Sequence, residues 1–400
     1  MGGRLWILLL AGFALALVAT NNADAEKEPE WHYLTESGTV TAISADGEYS
    51  VAGSHYRVYL FDKDSFTPLW SYETADSVSS VAISADGEYI VAGSDKVYLF
   101  HKANSTPLWS YTAGSASSVT ISADGEYITV GVHYKVYLFD KNSSTPLWSY
   151  ETAGSVYSVA ISADGEYIAA GSSGGKVYLF DKDSSTPLWS YATAYGDVRS
   201  VAISADGEYI AAGSYDGRVY LFHKDSSTPL WSYHTRYQVY SVAISADGEY
   251  IAAGSEGSGK VYLFGNTNAT PFWSYKTGGS VGSVSISADG KYIVAGSDMT
   301  YLFDKYHYEP LWNYTSGTYS VAISADGEYI ATGSYDGSKG YHFSLLTKEP
   351  AAAAPIPAPN PSPAQTADSG SDDDSKLPAL SLAASVAAVA VIALRRPRNT

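Results

Sequence analysis

The chain has 400 residues, with 24 Lys and Arg against 42 Asp and Glu, for a formal net charge of −18 at pH 7. That length can bury a large core, while that acidity disfavours nucleic-acid phosphates and anionic lipid surfaces as partners. Cysteine is absent, which excludes disulfides, thiolate metal sites and cysteine nucleophiles together.

In chain order, residues 1–25 carry Arg4, an apolar run over 5–18 and a small-x-small site at Ala23-Asp24-Ala25. This is the pattern of a secretory signal peptide, and the run is short for a membrane anchor. A repeat follows. Ala-Asp-Gly-Glu occurs seven times and Ala-Asp-Gly-Lys once, with the Asp at 46, 86, 124, 164, 206, 247, 289 and 326. A spacing of about 40 residues is the period of a four-stranded propeller blade.

One period predicts four strands. Strand a is SVAIS (200–204), closed by the Asp206-Gly207 hairpin turn, and strand b is EYIAAGS (208–214). A variable loop leads to strand c, RVYLF (218–222), and a polar turn (224–229) leads to strand d, LWSY (230–233). Strand c is apolar on both parities, as expected of a blade sandwiched between two neighbours. The Trp of strand d falls at 31, 70, 109, 148, 189, 231, 273 and 312. The first precedes any strand a, and the last unit (320–345) has no strand d. The N-terminal strand (30–34) is therefore expected to complete the last blade. The fold class is all-β: an eight-bladed propeller over residues 31–346, closed without a large unpaired edge.

Beyond it, residues 347–376 are Pro/Ala-rich and then Ser/Asp-rich, the composition of a solvated stalk. Residues 377–394 (LPALSLAASVAAVAVIAL) read as a single transmembrane or sorting helix, and Arg395, Arg396 and Arg398 place a basic tail (395–400) in the cytoplasm. Acidic stalk, apolar span and basic tail in this order resemble the C-terminal sorting signals of prokaryotic surface proteins. The expected location is secreted and tethered to the outer face of the cytoplasmic membrane or cell surface.

The first half of each unit, VAISADGEYIAAGSYDGRVYLF, resembles the WD-repeat propellers. The second half, as in YLFDKDSSTPLWSY from Tyr178, is similar to the tryptophan-docking repeat of quinoprotein propellers, which also commonly have eight blades. The resemblance implies a propeller and a packing role for the Trp residues. It implies no single function, because propellers host many activities. The terminal Trp-Asp pair of WD repeats is replaced by Phe222-His223 or Phe180-Asp181, and the quinoprotein Thr-Gly turn by Thr186-Pro187. A chain without cysteine cannot form the vicinal disulfide that commonly holds the quinone. No cofactor and no metal site are expected.

The remaining motifs read as structure. Eight near-identical Asp-Gly turns are hairpin chemistry, whereas a catalytic site needs one asymmetric constellation. Asp181-Lys182-Asp183-Ser184-Ser185 lacks the Gly and the distal Glu of a calcium loop. Gly254–Lys260 matches a phosphate loop, but Val261 follows where Ser or Thr should stand, and a strand follows where a helix should, so a Gly-rich hairpin is expected. The eight histidines show no metal-ligand spacing and no nucleophile elbow is present. No enzyme is expected. Sequons stand at Asn104, Asn142, Asn268 and Asn313, the first three in the c–d turn.

Comparison of the eight copies locates the variation. The a–b and c–d turns share one face of the disc and are nearly constant. The b–c loops and d–a crossovers share the other face and vary in length and chemistry. The residue before the Ser that opens strand a should sit near the channel mouth; it is Ser79, Ser117, Tyr157, Arg199, Tyr240, Gly282 and Tyr319 in turn. With Tyr195, Tyr215, Arg236 and Tyr237 nearby, this Tyr/Arg composition suits an interface or a sugar-stacking platform. The expectation is a non-enzymatic, surface-anchored propeller. It binds an extracellular protein or glycan through Tyr157, Tyr195, Arg199, Tyr215, Arg236, Tyr237, Tyr240 and Tyr319. The alternatives are a quinoprotein-like redox enzyme and a self-associating envelope protein.

Overall fold

Short β-branched and aromatic runs separated by Asp-Gly, Ser-Gly and Thr-Pro turns fold into hairpins throughout residues 27–314, 317–337 and 340–349, the residues that the computed structural model describes. They build eight antiparallel sheets, each of four strands. Strand a of every blade touches strand a of both neighbours, the first against the eighth included, so the blades close into a ring around a central channel. The fifth blade has strand a at Val198–Ile203, b at Tyr209–Ser214, c at Arg218–His223 and d at Trp231–His234. Strand a begins two residues before the expected start because it carries a bulge, described below.

Ring closure follows the expected route. The N-terminal strand, Trp31–Thr35, pairs antiparallel with Gly340–Thr347, placing Trp31 opposite Leu345. The blade is completed by Tyr329–Asp336 and Gly317–Ile323. The ring extends to Lys348, whose carbonyl accepts the Trp312 indole N–H at 2.9 Å. The segments read as signal peptide (1–25), apolar span (377–394) and basic tail (395–400), and the stalk beyond residue 349, lie outside the described residues. Among the described residues no helix is long and apolar enough to cross a membrane.

The core lies between blades. Ala211, Val219 and Leu221 of the fifth blade pack with Val242, Ile251 and Phe264 of the sixth. The same pattern joins the eighth blade to the first through Phe343, Phe61 and Trp31. Both faces of strand c are therefore dry. Each Trp spans a junction: the Trp189 indole donates to the Lys224 carbonyl at 2.7 Å, and its ring lies 5.3 Å from that of Phe222. All eight tryptophans of strand d make this bond to the next blade. An aromatic contact and a satisfied indole N–H at one place make Trp hard to replace there.

The Asp-Gly turns explain their own repetition. The Asp206 carboxylate accepts from the Ser204 hydroxyl at 2.6 Å and from the Glu208 N–H at 3.0 Å, while Ser204 accepts from the Tyr209 N–H. Next to it, the Ala205 N–H donates to the Ala246 carbonyl of the following blade. The eight alanines do this in sequence until Ala325 donates to Ala45, a closed belt of eight backbone hydrogen bonds of 2.8–3.0 Å. Gly207 lies at φ +71° with the Tyr167 ring of the preceding blade against it. Asp, Gly and Ala are each required by geometry, and one oxygen of every turn Asp is committed to its Ser hydroxyl.

Candidate binding face

On the variable face, strand a opens with a β-bulge in five blades, at Ser117, Tyr157, Arg199, Tyr240 and Tyr319. A bulge leaves its extra residue out of the ladder and re-aims its side chain. Because strand a is innermost, these side chains stand at the mouth of the channel. In the first blade the ladder runs on with no extra residue, Thr39 opposite Ser54 and Val40 opposite Gly53, and in the second and seventh blades, which show no bulge either, Ser79 and Gly282 stand at that position.

Three consecutive blades bring their bulge residues together. The Arg199 guanidinium lies 4.3 Å from the centre of the Tyr157 ring, 5.6 Å from that of Tyr240 and 4.8 Å from that of Tyr215, in the b–c loop of its own blade. The Tyr215 and Tyr240 hydroxyls are hydrogen-bonded to each other at 2.8 Å. That bond, then burial, then the neighbouring Glu256 carboxylate hold the Tyr240 phenol well above the ordinary tyrosine range. The result is a cation in a cage of three rings. Such contacts contribute roughly 0.5–2 kcal/mol each and fix the rings as a platform.

Arg236 and Tyr237 form a second centre beside the first. Their crossover is pinned by Thr235, whose hydroxyl donates to the Gly217 and Tyr237 carbonyls at 2.9 and 2.5 Å. Arg236 is held at φ 75°, one of three non-glycine residues in the left-handed region among the described residues. That conformation costs a residue with a Cβ about 1–2 kcal/mol, and such strain gathers at functional sites. The Tyr237 ring lies on Gly257, where a Cβ would come within 2.7 Å of its Cδ1. The pair forms a ridge between two cavities. One, of about 360 Å³, is lined by Tyr215, Asp216, Gln238, Glu256 and Ser280 among others. The other, of about 440 Å³, is lined by His234, Ser258, Lys260 and Tyr262 among others. Both fall in the size range of small-ligand sites.

Tyr157, Arg199, Tyr215 and Tyr240 thus form one cluster, and Arg236 and Tyr237 the adjoining ridge. Tyr195, at 82% exposure, belongs to neither. Tyr319 stands two blades beyond Tyr240, across Gly282, and packs with Tyr341 in a separate aromatic group that includes Tyr335. Sequence comparison missed Glu256, Ser258 and Lys260. They lie in the loop resembling a phosphate loop, which is a b–c hairpin between Tyr250–Ser255 and Lys260–Gly265. Its residues nevertheless line both cavities; the available signal was its extra length.

The opposite face is less uniform than expected. In the sixth and seventh blades its c–d turns depart from the consensus, and Tyr250, Phe272, Trp273, Lys305 and Tyr306 line a cavity of about 350 Å³. Asn104, Asn142 and Asn268 are exposed in c–d turns on this face, whereas Asn313 lies within strand d (Trp312–Tyr314). Among the described residues no three His, Cys, Asp or Glu side chains come together in an arrangement that could hold a metal ion.

The eight sheets, the docked tryptophans and the Asp-Gly belt define a β-propeller of the WD-repeat and PQQ-like type. Residues 54–275, more than half of the chain, match the family described as outer membrane protein assembly factor BamB, and the chain belongs to it. Residues 270–301 and 309–338 match the WD domain, G-beta repeat. No curated protein matches the sequence.

Proposed function

We propose that this propeller is a non-enzymatic binding module that takes an extracellular protein or glycan on the variable face of its fourth to sixth blades. A C-terminal stalk and apolar span would hold it at the outer face of the cytoplasmic membrane or cell surface. The observation that carries the reading is the convergence of Tyr157, Arg199, Tyr215 and Tyr240 from three blades onto one platform, beside the Arg236–Tyr237 ridge. Aromatic and arginine side chains at a preorganised surface supply most of the energy in recognition, because they bury large area with little entropy to lose. Glycans at Asn104, Asn142 and Asn268 would sit on the far face and leave this one open. Replacing Tyr157, Arg199, Tyr237 and Tyr240 together by Ala is expected to abolish binding to envelope partners while leaving the thermal unfolding of the ring in place. Unchanged binding by that variant would remove the site.

A further inference from the structure

We infer that the groove between the fifth and sixth blades binds an acidic glycan, a chain of sugar rings carrying carboxylate or sulfate groups. This inference rests on the proposed binding role of that face and names its ligand. It begins with charge. Arg57, Arg199, Arg218 and Arg236 are the four arginines among the described residues of a chain of net charge −18, and the last three fall within 38 residues around this groove. Internal comparison sets these blades apart from the first and third. Where strand c begins, opposite the end of strand d, the first blade pairs Arg57 with Glu73 and the third pairs Lys135 with Glu151. At the same register the fifth blade sets Arg218 opposite His234, and the sixth sets Lys260 opposite Lys276. Like charges directly across a ladder destabilise it, and a bound anion relieves that repulsion.

Asp216 and Glu256 line the first cavity with Arg236 but make no ion pair with it, and no carboxylate lines the second cavity, which holds Arg236, Lys260 and His234. Asp216 accepts from the Arg218 N–H at 2.9 Å and from the Tyr220 hydroxyl, which occupies both of its oxygens. Glu256 lies beside Tyr240, where its charge helps to keep that phenol protonated. Among the described residues neither Arg236 nor Lys260 has a carboxylate at ion-pair distance. A planar guanidinium matches carboxylate and sulfate oxygens in pairs. Beside it, Tyr237 is 52% exposed and offers an aromatic face to the apolar side of a sugar ring. Gln238, Ser258 and Ser280 line the cavities on either side and supply an amide and two hydroxyls as hydrogen-bond partners for sugar hydroxyls. Two cavities sharing the Arg236–Tyr237 ridge suit a ligand of two or more rings rather than one.

The test uses the full chain and three oligosaccharide probes of equal length, titrated by calorimetry: an oligogalacturonate, its neutral methyl ester and a sulfated galactan fragment. One or both acidic probes are expected to bind at least about tenfold more tightly than the ester, the scale of one charge-assisted contact. Whichever acidic probe binds identifies the anion. Arg236→Ala and Lys260→Gln should each weaken the acidic probe and leave the ester unchanged, whereas Tyr237→Ala should weaken both; circular dichroism confirms that each variant is folded. Equal binding of acid and ester overturns the acidic specificity while the binding role of the face stands. No binding of any probe, with an envelope protein still held through Tyr157, Arg199, Tyr237 and Tyr240, overturns the glycan and leaves the proposed function intact. Loss of both overturns both.

Discussion

Gly207→Ala tests why the Asp-Gly turn recurs unchanged. The substitution meets two separate costs. At φ +71° an alanine adopts a left-handed backbone, which costs about 1–2 kcal/mol. Its Cβ would also lie 2.4 Å from Cδ2 and 3.1 Å from Cγ of Tyr167. That ring cannot swing freely, because the Lys224 ammonium sits over it, 5.0 Å from its centre. Overpacking of this kind costs about 1–3 kcal/mol. The two together predict a loss of about 2–5 kcal/mol, read from the midpoint and slope of urea unfolding followed by Trp fluorescence. In a Tyr167→Ala background the clash is gone and only the backbone cost of about 1–2 kcal/mol should remain. Gly282→Ala is the control. It lies outside the left-handed region and a Cβ there meets no heavy atom within 4 Å, so its effect should stay within about 0.5 kcal/mol. If Gly207→Ala is as mild as the control, or if its penalty survives the loss of Tyr167, the steric account of the turn is wrong.

Two further outcomes probe the ring as a whole. Deleting residues 27–35 removes the strand that pairs with Gly340–Thr347 and the Trp31 indole bond to the Lys63 carbonyl. An open edge should then give concentration-dependent association by light scattering; a monomer with unchanged unfolding would contradict ring closure by this strand. High pH offers the second. Burial, reinforced by Asp95, Asp216 and Asp298, raises the Tyr98, Tyr220 and Tyr301 phenols above the ordinary tyrosine value, about 10. The folded state then holds these protons more tightly than the unfolded one. Stability is whole below about pH 10 and falls as pH rises past it toward the folded values. The urea midpoint should hold up to about pH 10 and drop as pH rises above it, with phenolate absorbance growing as the chain unfolds; a flat midpoint would show that these hydroxyls ionise without cost.

What the sequence by itself determined was the part that repetition makes local. A period near 40 residues, an Asp-Gly hairpin and one Trp per unit specify strand order, blade number and the closing role of Trp31, because each is set by turn chemistry and by an unpaired strand at either end. Strand ends shifted by a residue or two, and the bulge at Tyr157, Arg199 and Tyr240 was not legible. A bulge depends on ladder register, which a row of serines and valines does not encode. Tertiary structure alone decided which variable residues meet. Tyr157, Arg199 and Tyr240 are about 40 residues apart in sequence, yet the inner ring of strands brings their side chains within a few ångströms. Tyr319 has the same place in its repeat and is excluded because the intervening blade offers only Gly282. The Ala45-to-Ala325 belt and the basic groove at Arg236 and Lys260 arise the same way, from contacts between blades. Each blade was readable on its own, but a site built between blades exists only once the ring has closed.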